Sequence, residues 1–403
     1  MTILWLWHGA LNAPNRARYQ RIMRAAKRHR VILLNQKRSP VADEIRQLVC
    51  QVLSSPSTGI RIGDYLLYYF FIIIWVPILA LKYREEHPVV FSCADFSAIF
   101  AFFLSRLLGL CWVIDMLDDP RLEIESLSVE GRSHTLRALP YWILLFFFQK
   151  CLRRAELVVA VGTTINEGIP KNLIEEFGVS PERLVPASMG TDLSITPLLP
   201  DHRRNDLFRV TYLGYMSRRR GTDFLLQACA LALQAIPELH LTMAGWFKHK
   251  EDQNWLMQII EQTTMKSRAD YAGVLDRQEG LDLLAATDVC AFVASPEVTN
   301  YRNTLSIKVP EYLAVGRVVV APDFPGVRQV ITDGWNGLLF DPTDPHHLAE
   351  QLVKIYRDRE LKQRIEAVAR KSVEPFDWTT IHEKRVMPAL EKACKNFSER
   401  KST

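Results

Sequence analysis

Short apolar runs alternate with longer stretches of mixed polarity along the whole chain. In the first half, the runs at 3–7, 31–35, 89–92, 111–116, 157–161 and 184–187 predict strands. Helical spacing predicts helices at 15–29, 94–108 and 166–177, with an apolar one at 65–81. A proline- and charge-rich stretch, 194–205, reads as a linker. The second half restarts the rhythm, with strands predicted at 208–213, 239–244, 271–272, 289–293, 318–321 and 337–340. Helices are predicted between these strands and over 378–396. Short apolar strands separated by helices imply parallel sheets covered on both faces, an α/β protein. Two doubly wound sheets facing across a cleft would place ligands at the carboxyl ends of their strands.

Length agrees with that division: 403 residues exceed one ordinary core and suggest two domains of roughly 200 residues. The expected boundaries are 1–200, 207–377 and a terminal helix, 378–403, crossing back towards the first domain. A composition of 48% hydrophobic and 24% charged residues is that of a folded chain. The net charge of +5 is unevenly placed, since residues 1–40 contain Lys and Arg but no Asp or Glu. Arg16, Arg18, Arg21, Arg24, Lys27, Arg28 and Arg30 fall on or next to the first predicted helix. Such a cluster suits an anionic membrane surface or an acceptor diphosphate; a solvated helix face is the plainer alternative. No nucleic-acid module is recognisable, so nucleic acid is not an expected partner.

Cys50, Cys93, Cys111, Cys151, Cys229, Cys290 and Cys394 are scattered, without metal-ligand spacing. They read as reduced thiols in a cytoplasmic protein. The start, Met1 to Trp7, reads as a strand and not as a signal peptide. The uncharged run 65–81 contains Pro77 and ends at Lys82 and Arg84. It falls short of the ~20 apolar residues of a spanning helix. A helix with one face on a core and another in the membrane interface fits it better than a span. A second run, 141–148, ends in Lys150, Arg153 and Arg154. Together the two suggest peripheral attachment to the inner face of a cell membrane.

The segment from Ser306 to Arg317 combines a loop, a helix start and one carboxylate before a buried strand. A helix start offers N–H groups and a positive dipole end to phosphate. Lys308 would add charge there, and Glu311 would sit one turn in. The alternative is an ordinary amphipathic helix leading into a strand.

The second half resembles the donor domain of a GT-B glycosyltransferase of the large retaining family 4, in ordered blocks. The first block is Tyr212-Leu213-Gly214-Tyr215-Met216-Ser217-Arg218-Arg219-Arg220-Gly221. Then come Met243-Ala244-Gly245, Tyr271-Ala272-Gly273-Val274, Ala286-Thr287-Asp288-Val289, the Ser306–Arg317 segment and Asp333–Phe340. The first half resembles the family only loosely, through His8-Gly9 and the turn Gly190-Thr191-Asp192. The resemblance implies two Rossmann-like domains, a nucleotide-sugar co-substrate, no tightly bound cofactor and no bound metal. It puts Arg220, with Arg218 or Arg219 as substitutes, on the donor diphosphate, where a planar guanidinium is well suited. It also assigns Gly9 to the glycine-rich loop and Gly214 to close approach of the donor. Leu305, Ser306 and Lys308 fall to the distal phosphate, Glu311 to the ribose and Val274 to the base.

One departure concerns the family's paired glutamates. Glu311 matches the second, but Asn303 stands where the first is expected, and Glu297 has the wrong spacing. On the acceptor side, Asp115-Met116-Leu117-Asp118-Asp119-Pro120 closes a strand. Buried carboxylates are costly unless used or paired; the resemblance implies a His or Asp beside the reacting sugar at this place, making Asp118 and then Asp115 the catalytic candidates, with Asn303 at the sugar end. Acid-rich helix capping is the alternative. The expected activity is transfer of a sugar to a lipid-linked or envelope polysaccharide acceptor, with retention. Competing readings are transfer to a soluble small molecule, a nucleotide-sugar epimerase and a non-catalytic GT-B subunit.

Overall fold

The computed structural model describes residues 1–7, 11, 17–37, 39–117, 121, 124, 139–217, 220–247 and 249–402. The chain divides into two compact units, Met1–Met189 with Trp378–Thr403, and Gly190–Asp377.

The first unit is built on a seven-stranded sheet in the order β3-β2-β1-β4-β5-β6-β7. Its strands are β1 Thr2–Trp7, β2 Arg30–Gln36, β3 Gln51–Ser55, β4 Val89–Cys93, β5 Cys111–Met116, β6 Leu157–Ala160 and β7 Leu184–Pro186. Every pairing is parallel. Their unbroken apolar sequences follow from burial on both faces: each residue of β1, β4, β5 and β6 is buried. The strand β3 and the short helix Asp43–Leu48 before it were not expected, because β3 is a partly exposed edge strand without an apolar run. The chain turns back beside β1, so its switch point lies between β1 and β4.

Right-handed crossovers place the helix Ala17–Arg28 on one face of this sheet. Arg61–Lys82, Ser97–Leu108 and Leu139–Cys151 fall on the other. In the helix Ala17–Arg28, the basic cluster expected to face an anionic surface or an acceptor diphosphate is partly buried. Arg21 is fully buried and ion-paired with Asp115, and Arg24 is buried with Glu383 at 3.3 Å. Of the helix's basic residues only Lys27 and Arg28 are exposed, and Arg28 faces Glu391 at 3.7 Å. Arg16 lies outside the described residues.

The second unit has a six-stranded sheet in the order β10-β9-β8-β11-β12-β13, again wholly parallel. The strands are β8 Phe208–Leu213, β9 Leu239–Ala244, β10 Ala269–Tyr271, β11 Val289–Ala291, β12 Val318–Pro322 and β13 Leu338–Phe340. Its switch point lies between β8 and β11. The helices Pro345–Arg357 and Arg359–Ser372 close the unit, divided at Asp358, whose side chain caps the second by accepting from Leu361 N–H at 2.8 Å.

The stretch expected as a linker is part of this second unit, where two arginines, Arg317 and Arg370, tie its carbonyls down. Arg317 donates to Pro200 O and, at 2.9 Å, to Leu284 O. Arg370 donates to Leu193 O at 2.9 Å and Thr196 O at 2.7 Å. The boundary therefore falls before Gly190 and not near residue 200.

Candidate active site

The loops that leave β8 and β11 meet at the switch point of the second unit, and their packing is set by hydrogen bonds to the end of β8. Tyr312, buried in the helix Lys308–Ala314, accepts from Leu213 N–H at 2.9 Å. One turn earlier, Lys308 Nζ donates to Tyr212 Oη at 2.8 Å and sits 4.1 Å from the centre of that ring. The Tyr212 hydroxyl passes its own proton to Tyr215 O at 2.7 Å. These contacts fix the ammonium beside the turn that follows β8.

That turn begins at Gly214, with φ +136°, where a Cβ would stand 2.3 Å from Lys308 Cε. Its carbonyl lies against Gly245, φ +135°, where a Cβ would come within 2.1 Å of Gly214 O. Both positions combine a left-handed backbone with an approach that only glycine permits. Arg220 closes the turn, its N–H donating to Ser217 O at 2.9 Å. Its guanidinium lies 4.2 Å from the Tyr301 ring centre and 5.6 Å from that of Tyr215. Tyr215 in turn packs on Trp246, with ring centres 4.5 Å apart.

Electrostatics single out Lys308. Burial pushes its ammonium down to about 7, the nearby Arg220 charge adds to the shift, and the Glu311 carboxylate opposes it. Two cationic side chains are thus held together with one carboxylate, at the ends of two adjacent central strands. An arrangement of this kind favours a multiply charged anion.

The structure brings Gly214, Arg220, Lys308 and Glu311 together, as the sequence suggested. Leu305 is buried, so its side chain serves packing, while Ser306 is half-buried at the start of the turn. The helix start is less open than expected, because Val309 N–H donates to Ser306 O at 3.2 Å and Glu311 N–H to Ile307 O at 3.2 Å. Asn303 ends the short helix Thr299–Asn303 and is half-buried. The next residue, Thr304, packs on Gly326, where a Cβ would come within 2.8 Å of its backbone. Val274 follows Gly273 and is largely exposed. Tyr212, Tyr215, Tyr301 and Trp246 were missed as site residues. Tyrosines just after an apolar strand read as core, and only the contacts with Lys308 and Arg220 distinguish them.

In the first unit Asp115 corrects the expectation of a presented carboxylate. It is fully buried on β5 and engaged by Arg21, so pairing accounts for its place in the sheet. Gly9, Asp118, Arg218 and Arg219 lie outside the described residues. Among the described residues no cluster of His, Cys, Asp or Glu could hold a metal ion.

Residues 208–358 match the family model described as glycosyl transferases group 1. That match covers most of the second unit and less than half of the chain. The similarity extends to a D-inositol 3-phosphate glycosyltransferase of Paenarthrobacter aurescens, 24% identical over 220 residues and matched over 51% of each chain. A phosphatidyl-myo-inositol mannosyltransferase of Mycobacterium leprae is 25% identical over 199 residues, covering 49% of this chain and 50% of its own length. The chain thus spans about half the length of the curated relatives it matches. Among solved structures, Anabaena Alr3699/HepE in complex with UDP and glucose superposes with a TM-score of 0.70 at 17% identity, covering 97% of this chain and 100% of that one. The sucrose-phosphate synthase of Thermosynechococcus elongatus gives 0.70 at 17%, covering 100% of both chains. With its two parallel-sheet units, the chain has the GT-B fold.

Proposed function

We propose that the chain is a retaining glycosyltransferase moving a sugar from a nucleotide-sugar donor to a lipid-linked or saccharide acceptor at the cytoplasmic face of a membrane. One observation carries the reading: Lys308 and Arg220 converge at the switch point of a group 1 domain, with Lys308 held by Tyr212. A donor diphosphate seated there would keep the Lys308 ammonium charged, and Arg220 would add a bidentate partner. Glu311 would accept from the ribose hydroxyls, and Gly214 would let the donor approach the backbone. The donor is a co-substrate, so the scheme needs no tightly bound cofactor.

Transfer breaks the bond between the anomeric carbon and the diphosphate oxygen and forms one to the acceptor oxygen on the same face. The acceptor's proton goes to the departing phosphate, whose growing charge Lys308 and Arg220 stabilise. Asn303 would hydrogen-bond the sugar. The names of the relatives support an inositol-containing or lipid acceptor, and the solved neighbour's UDP supports a uridine nucleotide.

Measuring donor hydrolysis and transfer with a panel of nucleotide sugars, with and without membrane extract, tests the proposal. Sugar transfer that depends on the extract is the expected result. Tight nucleotide binding without turnover of any donor would instead favour a non-catalytic subunit, the reading that Asn303 in place of a glutamate motivates.

A further inference from the structure

One layer of the first unit is apolar on its outside. The helix Arg61–Lys82 turns Tyr68, Ile72, Val76 and Leu79 inward, and Tyr68 Oη donates to Leu34 O at 3.2 Å. Its Asp64 is also inward, accepting from Thr58 N–H at 2.6 Å. Its opposite side exposes Leu66 (66%) and Phe70 (63%), with Ile74 and Ile78 between them and the helix end. The helix is long and apolar enough to cross a membrane, but a third of it is buried against its own unit. The next helix, Ser97–Leu108, packs beside it through the stacked rings of Tyr69 and Phe100, 5.0 Å apart, and exposes Phe103 and Leu107 (81%). Leu139–Cys151 joins the layer through Phe147 on Phe102, at 5.7 Å, and exposes Trp142 and Phe146 (65%). Soluble monomers rarely expose contiguous apolar areas this broad.

Charge identifies what covers that layer. Helices that connect parallel strands run against them, so all three carboxyl ends lie at the amino edge of the sheet. There the chain exposes Lys82, Arg84, Arg106, Lys150, Arg153 and Arg154. Of the nearby acids, Glu86 is engaged by Arg30 at 3.0 Å and Glu156 by Arg400, while the exposed Glu85 lies 4.0 Å from Arg84 and leaves the other five cations in excess. Between the helix ends opens a cavity of about 340 Å³ lined in part by Leu81, Arg84, His87 and Leu108. Apolar side chains rimmed by cations match the boundary between acyl chains and anionic headgroups.

We infer that the outer faces of these three helices dock the protein on a bilayer containing anionic phospholipid, with the basic helix ends on its headgroups. This deepens the membrane part of the proposed function and moves the contact away from Ala17–Arg28, whose Arg21 and Arg24 are buried.

Co-sedimentation of the full chain with phosphatidylcholine vesicles, with and without phosphatidylglycerol, tests it. Binding is read without donor or acceptor, so failure of sugar transfer does not touch it. The wild type should sediment with the anionic vesicles. Lys150→Glu, Arg153→Glu and Arg154→Glu combined should weaken that binding about a hundredfold. Leu66→Ser with Phe70→Ser and Phe146→Ser should abolish it. Lys27→Glu with Arg28→Glu should leave it unchanged. As a readout free of folding effects, brominated phospholipid should quench wild-type tryptophan fluorescence, and Trp142→Phe should lose part of that quenching. Equal binding by the charge-reversed variant would overturn the inference. So would a vesicle-free dimer that the serine variant dissociates, since the layer would then be an interface between copies of the chain.

Discussion

Lys308 Nζ donates to Tyr212 Oη at 2.8 Å and lies 4.1 Å from the centre of the same ring, so one tyrosine fixes the ammonium by its edge and by its face. The ammonium can only donate, and the hydroxyl's single proton points at Tyr215 O, which gives this chain of contacts one direction. Tyr212 is itself buried in the core beneath the turn. The charge therefore has a rigid seat at the end of β8, which is what recognition of a diphosphate needs.

Donor binding should depend on pH through Lys308. Its ammonium titrates near 7 in the free protein because burial and Arg220 oppose the charge. A bound diphosphate raises that value, so binding takes up a proton wherever the free side chain is neutral. Affinity for a nucleoside diphosphate should be steady below pH 7 and fall above it, approaching tenfold per pH unit. Calorimetry in buffers of different ionisation enthalpy should show proton uptake at pH 8 in the wild type. Lys308→Met should lose both the uptake and the slope. The same shift bears on stability with the sign of a depressed lysine. The unfolded chain binds more protons between the folded value and the ordinary 10.5, so the ligand-free protein should gain stability as pH rises through that window.

Glu311 lies one turn beyond Lys308 in the same helix, and its charge favours the lysine's protonated form. Glu311→Gln keeps the shape and removes the charge. It should weaken nucleotide-sugar binding by about ten- to a hundredfold, the scale of a hydrogen bond to a charged group, without lowering the melting temperature. A donor analogue lacking the ribose hydroxyls should bind both proteins alike. Loss of affinity for that analogue as well would assign Glu311 to Lys308 and not to the ribose.

The sheets were legible because a strand buried on both faces cannot hide its apolar run. The exceptions have physical causes. The edge strand β3 carries Gln51 and Ser54 exposed and ends in a buried Ser55, so no apolar run announces it. The cluster proposed to hold the donor, Gly214, Arg220, Lys308 and Glu311, was legible as residues of the ordered blocks. Charge alone misled in the first unit. Nothing in the spacing of Arg21, Arg24 and Arg28 says that the first two are buried against acids distant in the chain, Asp115 and Glu383. The 194–205 stretch likewise reads as a linker until Arg317 and Arg370 are seen to hold its carbonyls.

The buried pair Arg21–Asp115 should behave as a structural unit. Removing one partner leaves an uncompensated charge in the core, so Arg21→Met should cost about 3–5 kcal/mol. The double replacement Arg21→Met with Asp115→Leu should recover much of that loss. Urea denaturation of both variants measures the difference. If Asp115→Asn retains stability but loses transfer to the acceptor, the carboxylate has a catalytic role that its burial does not suggest.

Gly214 and Gly245 separate binding from folding. An alanine at 214 would press on the flexible end of Lys308, at 2.3 Å from Cε, whereas one at 245 would meet the backbone oxygen of Gly214 at 2.1 Å. A lysine tip can move aside, and a strand end cannot. Gly214→Ala should therefore fold, at a cost of about 1–3 kcal/mol for its positive φ, and lose donor affinity because the ammonium leaves Tyr212. Gly245→Ala should lose more stability than Gly214→Ala in the same denaturation experiment. Equal affinity of Gly214→Ala and wild type for a nucleoside diphosphate would show that the seat on Tyr212 is not what the donor requires.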